Sequence, residues 1–409
     1  MQSNGEYPRL LRPSLIEDLN LHPVVVVVGA RQVGKSTLCQ EIAQSKGFTG
    51  FTLDDWNLLN HARRDPAGFL ASLGVGPIFI DEAQRAPEIF LAIKAAVDRS
   101  QTAGHFLLCG SNQPGVRRAV GDSLVGRAVY RTLYPLTLSE LRLEQVGSSW
   151  TFLFGASDLE VLNELERRGE SHGALDWQEV VSTGGFPRAL SAPKDRRLKM
   201  LDEYIAVFTS RDIREVLSVD AADRFEMFVR LLATRVAQPL NYSSLATDLG
   251  VSVNTVRRWT DALRRSYLID LIPSYSRNAG HRVIKSPKLV FVDSALAQAA
   301  AREVAPTGFH LENFIATDIG VWAGAAADRA VYHWRLSSGQ EVDFVLECRG
   351  ELLPVEVKAS SSVSFSDGRH LRTFLDRHDR ATRGLLLSAD PIIRGLGQGV
   401  IAAPWWAAI

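Results

Sequence analysis

Three groups of residues carry chemistry in their types and spacing. The first, Gly29-Ala30-Arg31-Gln32-Val33-Gly34-Lys35-Ser36-Thr37, follows a run of five valines and fits the phosphate-loop pattern in full. Its glycines let backbone N–H groups close around phosphate. Lys35 would reach the β- and γ-phosphates of ATP, and Ser36 would ligate Mg2+. The second group is Asp81-Glu82, which ends the apolar stretch "PIFIDEAQ". There Asp81 would hold the Mg2+ shell, and Glu82 would polarise the attacking water. Ser111 and Asn112, after "HFLLCG", are suited to sensing the γ-phosphate or that water. The third group comprises Glu312 in "HLENF", Asp343 in "GQEVDF", and Glu356 and Lys358 in "LPVEVKAS". Residues two apart on a strand share a face, so Glu356 and Lys358 point together. Taken alone, each group has a plainer reading: a structural glycine turn, a solvated Asp-Glu turn, or a solvated hairpin edge.

The elements around these groups define the fold class. The runs "VVVVV", "GFTGFTLDD", "PIFIDE", "HFLLCGS" and "AVYRTLYPL" alternate with amphipathic stretches, the pattern of a parallel sheet covered by helices. A helical block follows to about Val216. The next stretch starts with helical spacing and ends with β-rich "YLIDLIPSYS" and "KLVFVD". The final part reads as a helix, three closely spaced strands, another helix, then "GLLLSAD" and "GVIAAPWW". The expectation is a multidomain α/β chain with a nucleotide-binding core over residues 1–140, a helical lid over 141–220, a third domain over 221–303 and a C-terminal domain over 304–409.

The 409 residues are 46% apolar and 22% charged, so the chain is globular and large enough for several cores. Lys+Arg and Asp+Glu both number 46, so any contact with nucleic acid must come from local clusters. Cys39, Cys109 and Cys348 lack metal-ligand spacing and read as buried, reduced thiols. With no apolar signal region and no long apolar span, a soluble cytoplasmic protein with no membrane contact is expected.

The order of these motifs resembles the AAA+ ATPases. In "SLVGRAVY" the resemblance nominates Arg127 as an arginine that reaches into a neighbouring subunit's ATP. In "GGFPRAL" it nominates Arg188 as a phosphate contact within the subunit. It also implies a homo-oligomeric ring, often a hexamer.

"LNYSSLATDLGVSVNTVRRWTDALRRSYLIDLI" fits a helix-turn-helix. Leu245, Ala246 and Leu249 form the first helix's apolar face and Gly250 permits the turn. Val253, Val256, Trp259, Leu263 and Leu268 continue the stripe, leaving Asn254, Thr255, Arg257 and Arg258 on the other side for DNA. A following wing would add Arg277, Arg282, Lys285 and Lys288 as backbone contacts. Winged helices also serve as protein–protein modules, and that alternative stays open.

The C-terminal acids resemble the PD-(D/E)xK nuclease fold. By that resemblance Asp343 and Glu356, with the Val357 carbonyl, would bind one or two Mg2+ or Mn2+ ions. Glu312 would hold a metal or its waters, and Lys358 would position or deprotonate the nucleophilic water. End to end, through "GARQVGKST", "FIDEAQ", "GSN", "GR", "GGFP", "RDI" (Arg211 to Ile213), "SSGQEVDF", "VEVKAS" and "PWW", the chain resembles a prokaryotic family of AAA+ proteins with a nuclease-like C-terminal domain. The implied activity is ATP-driven processing of branched, forked or single-stranded DNA. The competing expectation is an ATP-gated, DNA-binding regulator whose nuclease-like domain is silent.

Overall fold

The computed structural model describes residues 7–100, 102–110, 124, 126–143, 150–210, 222–276 and 286–409. By compactness the chain forms two units. The first contains residues 1–145, 186–188 and 265–268; the second contains 146–185, 189–264 and 269–409. The stretches read as lid, third domain and C-terminal domain fall mainly in the second unit.

The first unit is built on strands β1 (Val24–Val28), β2 (Thr49–Thr52), β3 (Ile78–Asp81), β4 (Phe106–Gly110) and β5 (Ala128–Thr132). Among the described residues they form one parallel sheet in the order β2-β3-β4-β1-β5. All five residues of β1 and of β4 are buried, as uninterrupted apolar runs require when helices cover both faces of a parallel sheet. The core gathers Val24, Val26 and Val28 with Phe69, Ile80, Phe90, Ile93 and Leu108. Because the strands are parallel, their carboxyl ends lie along one edge, and the loops that follow β1 and β3 emerge together there.

In the second unit, helices Ala222–Ala233, Tyr242–Leu249 and Val253–Arg265 are followed by the antiparallel pair β6 (Ile269–Ile272) and β7 (Lys288–Phe291). Phe225, Phe228 and Trp259 meet edge-on and tilted at the centre of these helices. Gly250, with φ of 63°, closes helix Tyr242–Leu249 in the left-handed conformation that glycine tolerates best. Helix Gly308–Gly324 leads into β8 (Arg329–Arg335), β9 (Glu341–Cys348) and β10 (Glu351–Lys358), which are antiparallel. After helix Arg369–Leu375 come β11 (Gly384–Ser388), β12 (Arg394–Gly395) and β13 (Val400–Pro404). The sheet runs β12-β13-β11-β10-β9-β8, with β11 parallel to both β10 and β13. The helix–three-strand–helix–strand order is the one read from the sequence.

Candidate functional site

The phosphate loop grows directly out of β1. Gly29 has φ of 151°, and a Cβ there would lie 2.2 Å from the Leu133 carbonyl oxygen, so the loop leaves the sheet only with glycine at this position. Gln32 and Gly34 follow with φ of 65° and 97°, and helix Lys35–Lys46 begins immediately afterwards. A helix start behind such a turn presents N–H groups toward an anion. Lys35 is buried and donates to the carbonyls of Gly29 at 3.1 Å and Ala30 at 2.7 Å. Burial lowers its pKa from the ordinary lysine value.

Ser36 Oγ donates to Asp81 Oδ1 at 2.9 Å, bridging the ends of β1 and β3 across the intervening β4. The same carboxylate oxygen accepts from the Glu82 amide at 3.0 Å and from the Cys109 thiol at 2.7 Å. Glu82 steps out of the strand with φ of 53°, a conformation that costs energy in a residue other than glycine. Gln84 Nε2 donates to its carboxylate. Burial raises the pKa of Glu82, with Gln84 and Lys35 opposing the shift. Lys35, Ser36, Asp81 and Glu82 are thus brought together.

Arg9 went unrecognised in the sequence. Its guanidinium donates to the Val33 carbonyl within the loop at 2.7 Å, to the Tyr134 carbonyl at 2.6 Å and to Glu140 Oε1 at 3.2 Å. Glu140 is buried and also caps its own helix start through Thr137. Nothing in "YPRLLRP" carries a periodic signal for this role, and the partner lies 131 residues away.

The two nominated arginines sit elsewhere. Ala128 pairs with Val24, so Arg127 lies at the amino end of the sheet, about 16 Å of strand from the phosphate loop, and ion-pairs with Asp98. Arg188 is exposed and groups with the first unit. Asn112, Ser111, Arg211 to Ile213, Arg277, Arg282 and Lys285 lie outside the described residues.

In the second unit, helix Val253–Arg265 buries Val256, Trp259 and Leu263. It exposes Asn254, Arg257 and Arg258, with Thr255 half-buried. Arg257 stacks 4.6 Å over the Tyr242 ring. Lys288 does not face solvent with these arginines, contrary to the wing-contact expectation. It is 6% exposed, and its ammonium group enters the C-terminal carboxylate cluster. The reason is its place on β7: as the first residue of a wholly buried strand, ahead of Leu289 and Val290, it points inward.

That cluster joins Glu312 from helix Gly308–Gly324, Asp343 from β9, and Glu356 and Lys358 from β10. Lys288 Nζ donates to Glu312 Oε1 and, at 3.2 Å, to Asp343 Oδ1. Asp343 Oδ2 accepts the Val357 amide at 2.9 Å, and Lys358 Nζ donates to Glu356 Oε1 at 2.7 Å. Glu356 Oε2 is buried without a hydrogen-bond partner among the described residues. Burial, reinforced by the Asp343 charge, pushes Glu356 up to about 8. The two facing carboxylates keep the buried Lys288 protonated. Sequence reasoning found all of these groups except the role of Lys288.

Comparison with known proteins fits the first unit. Residues 21–142 match the family model described as AAA domain. This part of the first unit is therefore similar to AAA domains, in keeping with its phosphate loop and five-stranded parallel sheet. Residues 174–307 match a domain of unknown function (DUF8612), and 307–407 match another (DUF4143). Uncharacterized proteins of Mycobacterium bovis and Mycobacterium tuberculosis are each 29% identical over 368 residues, covering 87% of this chain and 74% of theirs. Among solved structures, a Walker-type ATPase of Pyrococcus abyssi is 16% identical with a TM-score of 0.39, over 71% of this chain and 94% of that one. The Thermotoga maritima RuvB Holliday junction branch migration motor is 17% identical with a TM-score of 0.29, over 67% and 95%. No helix among the described residues is long and apolar enough to cross a membrane.

Proposed function

We propose that the chain hydrolyses ATP to drive or gate an action on DNA, working as a homo-oligomer. The observation that carries this reading is the convergence of Lys35, Ser36, Asp81 and Glu82 at one edge of the parallel sheet. Lys35 neutralises phosphate charge. The linked hydroxyl and carboxylate of Ser36 and Asp81 are hard oxygen donors that fit Mg2+, which when bound would screen the phosphates. Glu82 stands one residue beyond, displaced from the strand and with its pKa raised by burial, so it takes the role of base toward water. Glu82→Gln tests this directly: ATP should still bind while turnover falls at least ~100-fold. Persistent hydrolysis would remove Glu82 from the role.

The DNA element is helix Val253–Arg265, whose arginine face is free of the core, set beside an antiparallel hairpin in the manner of a winged helix. Arg127, ion-paired to Asp98 at the amino end of the sheet, would serve a neighbouring subunit's ATP. The C-terminal cluster supports a silent rather than a cutting role. Three of its carboxylate oxygens are engaged by Lys288 and the Val357 amide and a fourth by Lys358; although Glu356 Oε2 has no partner among the described residues, the Lys288 ammonium stands where a divalent cation would sit.

A further inference from the structure

Buried carboxylates that face one another repel, and the repulsion is relieved by protons, by a metal ion or by a cationic side chain. Here the charge is delivered by the fold. Lys288 stands at the first position of β7, and its ammonium group lies between Glu312 and Asp343. The Phe344 ring lies 5.2 Å beneath it, an additional favourable surface for a cation.

The strand that carries Lys288 is held in place from several directions. Leu289 N donates to the Gln238 carbonyl at 2.9 Å, and Leu240 N donates to the Pro287 carbonyl at 2.8 Å. His333 Nε2 lies 3.0 Å from the Ser286 carbonyl oxygen. On the other side, the buried Asn313, one residue after Glu312, clasps Phe291 completely. Its Oδ1 accepts Phe291 N at 2.7 Å, and its Nδ2 donates to Phe291 O at 3.0 Å and to Ser294 Oγ at 2.9 Å. The helix that supplies an acid of the cluster therefore also fixes the strand that supplies the cation. The backbone that carries the ammonium is fixed on both sides.

We infer that Lys288 is the resident cation of the Glu312–Asp343–Glu356 cluster, and that the cluster takes no divalent ion. It acts as a buried clasp fastening the β6–β7 hairpin to the C-terminal α/β domain. The inference is independent of the ATPase reading, because it concerns the chain without nucleotide.

The test is Mn2+ binding to the nucleotide-free full chain, followed by electron paramagnetic resonance of free Mn2+. Asp343→Asn isolates whatever the cluster contributes. Wild type and Asp343→Asn should bind Mn2+ identically. Lys288→Met, which keeps the aliphatic stem and removes the charge, should melt at lower temperature. It should also gain a Mn2+ site that disappears again in the double variant with Asp343→Asn, and Mn2+ should raise its melting temperature. A wild-type Mn2+ site abolished by Asp343→Asn would overturn the inference. So would a folded Lys288→Met that gains no site, because Lys288 would then not occupy the cation's place. Should Lys288→Met fail to fold, the wild-type comparison with Asp343→Asn still decides. ATP turnover is read separately and can fail or succeed without affecting this outcome.

Discussion

At the scale of single residues, the nucleotide site depends on side chains that hold backbone as much as on those aimed at phosphate. Arg9 reaches the loop carbonyl of Val33 while its charge is balanced by the buried Glu140. Arg9→Ala would strip the buried Glu140 of its counter-charge, leaving the Leu10 and Thr137 amides as donors to it, at a cost of about 3 kcal/mol, and would loosen the loop. Urea unfolding should show that loss, and nucleotide affinity should fall with it. Arg9→Lys should recover only part of either, because an ammonium group cannot reproduce the fork that serves three acceptors. In the second unit, Gly184 is a position where the backbone itself is constrained. It has φ of 64°, and a Cβ there would lie 2.8 Å from Asp293 Oδ1, whose partner oxygen accepts the Gly185 amide at 2.6 Å. Gly184→Ala should destabilise by roughly 1–3 kcal/mol in the same assay. Lys35, Ser36, Asp81 and Glu82 were legible because their spacing is imposed by phosphate geometry. Arg9 and Lys288 were not, because their roles come from partners far along the chain that no local pattern announces.

At the scale of elements, apolar runs gave away the strands of the first unit because a parallel sheet buried on both faces leaves no alternation to disguise them. β7 was harder. "KLVF" follows a basic, polar stretch, so its lysine reads as surface until β7 is seen pinned against helix Gly308–Gly324. The same helix makes a pH prediction. His310 is buried at its first turn, and its Nδ1 accepts the Thr307 amide at 3.1 Å, which requires the neutral ring at that nitrogen. Burial lowers its pKa to about 4. The unfolded chain therefore binds the proton first as pH drops, and stability contributed by the neutral ring is lost between about pH 6.5 and pH 4. Urea midpoints across that window should fall, and His310→Gln should flatten this part of the profile. An unchanged slope in the variant would remove His310 as its source.

At the scale of the whole molecule, the proposed function requires that nucleotide turnover in the first unit and DNA binding in the second be coupled. Arg127 adds the expectation of a shared site. Lys35→Ala and Arg127→Ala should each be inactive, yet an equimolar mixture should regain part of the ATPase activity, because some interfaces then combine an intact loop with an intact arginine. No recovery would confine each site to its own subunit. The claim that DNA is the object is tested most directly by the steady-state ATPase rate with duplex, single-stranded, forked and four-way DNA, at two salt concentrations. At least one branched or single-stranded form should stimulate the rate several-fold. That stimulation should weaken at higher salt and disappear in Arg257→Glu/Arg258→Glu while the basal rate persists. A rate that is the same with every DNA and without any would contradict it.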